Sequence, residues 1–293
     1  MRFISYEYRC QSYCGLVLED RVLPFDSRTG LKVGSMLELI AKMTPDLARK
    51  IACLANSTAY MLPLAAIKLL APIPYPGRNV FCLGKNYKEH AREIGATRIS
   101  DSGIPEVPIY FTKLAAPAIA HGDPLVFSPH ATRQVDYEVE LAVIIGKEGS
   151  NIKIEEALDY VFGYTIVNDV TARDLQVNHT QWFKGKSLDS FCPMGPCIVY
   201  KDEIASPVEL DIQCRVNGEL RQNSNTGNMI FDIPHIINDL SQGLTLKPGD
   251  IICTGTPSGV GIGFDPPRLL QDRDVVECYI QNIGYLTNQV RVE

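Results

Sequence analysis

DYEVELAVIIGK, residues 136–147, is the stretch on which the fold turns. It alternates through Glu138, Val139 and Glu140, then runs wholly apolar from Leu141 to Ile145 before Gly146. Alternation passing into a continuous apolar run predicts a strand that enters a core. On such a strand Glu138 and Glu140 are two apart and share a face. Two carboxylates on one face repel each other, and burial adds to the cost. A divalent cation between them would remove both penalties. Two solvated side chains on an exposed edge fit the same spacing.

A second run of β character, 161–167, leads into Asn168-Asp169, with Arg173 and Asp174 just beyond. Three carboxylates with no His or Cys beside them suit a hard cation, Mg²⁺, Mn²⁺ or Ca²⁺, better than zinc. Further strand-like runs are 79–83, 197–200, 210–216, 250–254 and 275–280. Asn217-Gly218 lies between two of them and is a strong hairpin turn. One helix is expected over 233–240, with Asp232 as its N-cap. Strands outnumber helices and few βαβ alternations occur, which argues an α+β, β-rich body and not a doubly wound sheet.

Residues 1 to about 70 differ. Residues 15–25 predict a hairpin with its turn at Glu19-Asp20, and apolar residues at helical spacing predict helices over 36–43 and 45–56. The segment 71–77, Ala-Pro-Ile-Pro-Tyr-Pro-Gly, cannot continue a helix or a central strand. The expected division is therefore a small N-terminal α/β domain, 1–72, and a larger β-rich domain, 73–293.

The 28 basic and 34 acidic residues among 293 leave a net charge of −6. That argues against nucleic acid as a partner and against a basic membrane-surface protein. The most apolar stretch, 59–70, is broken by Pro63 and Lys68 and falls short of the ~20 residues a spanning helix needs. The first residues hold no apolar run of the secretory kind. Nine cysteines without a CxxC pair, most among apolar neighbours, predict buried thiols in a reducing cytoplasm.

Three more segments carry chemistry. In GKNYKEHARE, 84–93, a helix would set His90 and Glu93 on neighbouring positions, as a proton relay or as a surface pair. Lys186 lies in FKGKSLD, 183–189. The glycine-rich GTPSGVG, 255–261, follows a strand but lacks the GK[ST] ending of a phosphate-binding loop.

Taken together and in order, these segments resemble the fumarylacetoacetate hydrolase superfamily. The matching stretches are GKNYKEHAREIG at 84–95, YFTK at 110–113, DYEVELAVIIGK at 136–147, GYTIVNDVTARDLQ at 163–176, GKSLDSFCPMGP at 185–196, VNGELRQ at 216–222 and PGDIICTGTPSGVG at 248–261. The resemblance covers roughly 79–293 and implies a mixed β-roll, usually in a homodimer, with Mg²⁺ or Mn²⁺ in its mouth. Carried over by position, Glu138, Glu140 and Asp169 would hold the metal, and Lys186 would polarise the substrate. His90 and Glu93 would be the acid–base pair of a mobile lid over 87–102. Gln176 and Thr256 would touch substrate, Lys113 would form pocket wall, and Arg173 would support from behind. The implied substrate is a small α-keto acid. The leading expectation is metal-dependent cleavage of a C–C bond through an enolate, as in acylpyruvate hydrolysis or oxaloacetate decarboxylation. The alternative is isomerisation or tautomerisation of oxaloacetate or a 2-hydroxy-dienoate. A metabolite-binding protein without catalysis is a further alternative, against which the full set of His90, Glu93, Lys186 and three carboxylates speaks.

Overall fold

The computed structural model describes residues 1–31, 33–56, 60–95, 103–115 and 117–293. The chain opens with an antiparallel meander, β1 (Arg2–Tyr8), β2 (Gln11–Leu18) and β3 (Arg21–Pro24), whose second turn is Glu19-Asp20. Helices α1 (Met36–Lys42) and α2 (Pro45–Ala55) follow, and each starts on a hydroxyl cap. Ser35 accepts from the Glu38 N–H and Thr44 from the Leu47 N–H, which satisfies donors the first turn leaves over.

Next come β4 (Val80–Gly84), α3 (Lys88–Gly95), β5 (Ile109–Lys113), β6 (Leu125–Phe127), β7 (Val139–Ile145), β8 (Val161–Asn168) and α4 (Arg173–Asn178). A one-turn helix, Phe183–Lys186, leads to β9 (Met194–Tyr200), β10 (Asp211–Val216), β11 (Glu219–Asn225) and α5 (Ile233–Leu240). The chain ends with β12 (Ile251–Cys253), β13 (Val275–Ile280) and β14 (Gly284–Val292).

Two sheets carry the body. Among the described residues the larger has 11 strands and runs from the short Leu62–Pro63 through β3, β2, β1, β9, β8, β7, β12 and β4 to β5, with Lys68–Leu70 also on β1. The smaller runs β11, β10, β13, β14, β6. Strand β7 is buried along its whole length and, Glu140 apart, apolar, because both its faces are covered. Val139, Leu141, Val143 and Ile145 join the core that holds Ile212, Cys278 and Leu286 of the smaller sheet. Ala142 and Ile144 join the core built from Phe3, Leu16, Leu23, Leu39, Ile40 and Ile51. Residues 1–72 thus extend the same sheet, through the β1–β9 pairing of Arg2 with Val199 and Phe3 with Ile198, and their helices α1 and α2 cover one of its faces. Among the described residues no helix is long and apolar enough to cross a membrane.

Candidate metal centre

The site forms where β7 begins and β8 ends. Glu140 lies on β7, Glu138 just before it, and Asp169 just after β8. The two strands are fastened here: the Glu138 N–H donates to Asn168 Oδ1 at 2.9 Å, and the Asp169 N–H donates to the Glu138 carbonyl at 2.8 Å. One carboxylate oxygen from each of Glu138, Glu140 and Asp169 lies within 4.8 Å of the others, and all three side chains are buried.

Three cations brace this cluster. Lys186 Nζ sits 2.7 Å from Glu138 Oε2 and 2.6 Å from Asp169 Oδ2. Arg173 Nη1 sits 2.7 Å from Glu138 Oε1, and its Nε donates to Asp136 Oδ2 at 2.9 Å. Lys113 Nζ sits 2.9 Å from Asp169 Oδ1.

The two glutamates are driven in opposite directions. Burial pushes both carboxyls up. At Glu138 the ammonium of Lys186 and the guanidinium of Arg173 outweigh burial and hold the group down at about 2. At Glu140 the charges of Asp169 and Glu138 add to burial and raise it well above the usual carboxylate range. Among the described residues no ion pair reaches Glu140; its Oε2 accepts from the Gly255 N–H at 2.8 Å. A divalent cation fits this arrangement. The donors are all carboxylate oxygens, as a hard ion prefers, and the ion would supply the positive charge that Glu140 lacks.

Helix α3 closes the site from outside. His90 Nδ1 lies 3.1 Å from Glu93 Oε2, the neighbouring positions that an i, i+3 spacing gives. His90 is buried against a cavity of about 20 Å³, room for about one water, which Lys186, Gln176 and Thr256 also line. Of the expected lid, residues 96–102 lie outside the described residues; 87–95 lie packed over the site.

The other expected residues take definite places. Thr256 Oγ1 donates to the Val139 carbonyl at 2.9 Å and accepts from Gln222 Nε2 at 2.8 Å. Gln176 Oε1 accepts from Arg173 Nη1 at 3.1 Å. Lys113 needs a correction: it is not pocket wall. Its side chain is fully buried behind Asp169, where Nζ also donates to the carbonyls of Val170, Lys186 and Phe191. An ammonium has three protons, and the three carbonyls take them all, so Lys113 faces Asp169 as a nearby positive charge and not as a hydrogen-bond donor.

The sequence reading missed three contributors. Lys85 lines the cavity, buried, on a left-handed backbone with φ 56°. Trp182 lines it as well. Gln222 ties the Val139 N–H, Thr256 and the Pro257 carbonyl together. Lys85 and Gln222 lie inside stretches already singled out and Trp182 beside one, but position in a stretch gives no role.

A fold of this kind with an acidic triad at its mouth defines a class. Residues 79–291 match the family model "Fumarylacetoacetate (FAA) hydrolase C-terminal", and the chain belongs to that family. It is 46% identical to oxaloacetate tautomerase YisK of Bacillus subtilis, an alignment covering 99% of this chain and 100% of the relative. A fumarylacetoacetate hydrolase structure from Exiguobacterium antarcticum superposes with a TM-score of 0.84 at 40% identity, covering 100% of both chains. Maleylpyruvate hydrolase from Sphingobium sp. SYK-6, solved with manganese(II) and pyruvate, superposes with a TM-score of 0.80 at 31% identity, covering 100% of this chain and 99% of that one.

Proposed function

We propose that this protein is a divalent-cation-dependent tautomerase that interconverts the keto and enol forms of oxaloacetate. The full-length likeness to an oxaloacetate tautomerase favours this alternative over the C–C cleavage that leads the sequence reading. The observation that carries it in the structure is the His90–Glu93 pair lodged against the buried triad.

Tautomerisation breaks one C–H bond at C3 of the substrate and forms one O–H bond at the C2 oxygen. Glu93 engages Nδ1 of His90 and leaves Nε2 as the nitrogen that can take or return the C3 proton. Lys186 brings its ammonium to the carboxylate cluster, where it can donate to the C2 oxygen as negative charge develops. Glu138, Glu140 and Asp169 would hold Mg²⁺ or Mn²⁺, which supplies Lewis-acid polarisation of the keto group.

The test is a parallel assay of chelator-treated protein reloaded with Mn²⁺ or Mg²⁺. Enol absorbance follows tautomerisation of fresh oxaloacetate, while CO₂ release and acid release from an acylpyruvate are measured beside it. Metal-dependent enol relaxation faster than either cleavage is expected. Cleavage that outpaces it would return the protein to the hydrolase or decarboxylase reading.

A further inference from the structure

Glu93 is held from two sides. Its Oε2 faces His90, and its Oε1 accepts from the Gly259 N–H at 2.9 Å. The loop that offers this N–H is shaped for the purpose. Gly259 takes φ 101°, a conformation that disfavours any side chain, and a Cβ there would overlap the Arg221 carbonyl. At Gly263 a Cβ would fall 2.5 Å from Cγ of Glu93 itself, so the space Glu93 fills exists because residue 263 has no side chain.

The loop is anchored in turn by Asp136, which is fully buried. Asp136 Oδ1 accepts from the Gly261 N–H at 2.7 Å and from the Tyr137 N–H at 2.9 Å, and Oδ2 from the Ile262 N–H at 3.0 Å. The same carboxylate pairs with Arg173, whose other nitrogen grips Glu138. Charge-assisted bonds therefore run from Glu138 through Arg173 and Asp136 to Gly261 and Ile262, the loop backbone leads from there to Gly259, and Gly259 binds Glu93, which faces His90.

We infer that the loop of residues 259–263 is a preformed seat for Glu93, held by Asp136, and that Asp136 is a positioning residue for the acid–base pair. The seat fixes α3 at the distance from the triad that proton transfer requires. The catalytic consequence rests on the tautomerase reading above; the seat itself does not.

Gly263→Ala tests it without touching a carboxylate of the triad. The new methyl displaces only the flexible end of Glu93, so the fold should survive. Backbone amides of Lys88–Gly95 should then exchange at least about tenfold faster in the metal-free protein, because the helix has lost its anchor. With metal, kcat should fall about 10–100-fold with KM within about twofold, part of the 10²–10⁴ that an acid–base group supplies. Glu93→Gln is the contrast: it keeps the oxygen that Gly259 binds, so exchange should stay at the wild-type rate while kcat falls. Asp136→Asn should speed exchange in 259–263 and in α3 together. Unchanged α3 exchange in Gly263→Ala would overturn the seat. Faster exchange in 259–263 but not in α3 of Asp136→Asn would overturn the role of Asp136. Faster exchange with undiminished turnover in Gly263→Ala would leave the seat standing and sink the proton-transfer reading of His90 and Glu93 instead.

Discussion

Glu138 and Glu140 are two positions apart at the start of β7, yet their chemistry diverges because Arg173 and Lys186 form ion pairs with the first and not with the second. A carboxyl raised by its surroundings binds a proton more tightly folded than unfolded. Its contribution to stability is present below the unfolded value of 4.5 and is lost as pH rises through the folded value. Metal binding must displace that proton. Apparent Mn²⁺ affinity should therefore rise with pH above about 4.5, and calorimetry in two buffers of different ionisation enthalpy should show proton uptake by the buffer. Affinity that is flat with pH would mean Glu140 is already ionised. His90→Ala should lower tautomerase turnover by about 10²–10⁴-fold with little change in Mn²⁺ affinity. Wild-type turnover would make the His90–Glu93 pair structural. At this scale the pair was legible because i, i+3 spacing fixes proximity within one helix. Asp136 was not: the groups it binds are backbone N–H donors about 125 positions later and an arginine whose side chain could point anywhere.

Single elements show the same divide. The Asn217-Gly218 turn was legible because φ values of 54° and 80° select those residue types. Helix α5 was legible from Asp232, which caps the His235 N–H as expected. The parallel pairing of β12 with β4, Ile252 opposite Phe81, was not, since three residues of β12 carry no trace of a partner about 170 positions away. Strand β11 matters to the site through one residue. Gln222 satisfies the Val139 N–H at 3.0 Å and holds Thr256, so Gln222→Leu should leave buried polar groups without partners. The expected loss is about 1–3 kcal/mol per group stranded. Urea unfolding reads it as a lower midpoint at unchanged slope, and a midpoint like wild type would show that the strand ends hold without this tie.

The whole molecule is organised around a shared core. The Phe3 ring lies 5.5 Å from Phe162, 6.0 Å from Tyr200 and 6.1 Å from Phe25, so it joins the first strand to β8 and β9. Phe3→Ala should cost about 3–5 kcal/mol. A loss under about 1 kcal/mol in thermal or chemical unfolding would show the N-terminal cover to be dispensable to the core. We also propose a homodimer, the commonest closed assembly. Light scattering should give twice the 32.5 kDa chain mass, and a value at the single-chain mass would refute it.

The pairing of Arg2 with Val199 sets a timetable for synthesis. Strand β1 must wait for a partner about 200 residues later in the chain, about 10–40 s at 5–20 residues per second. During that interval Phe3 lacks Phe162 and Tyr200, and β1 offers an open edge at Arg2 and Phe3 of the kind that invites pairing with another nascent chain. Ribosome-bound chains arrested before Met194 emerges should have a protease-sensitive first 70 residues, and chains arrested after Tyr200 emerges a resistant one. Equal resistance at both points would mean the cover folds on its own and docks later.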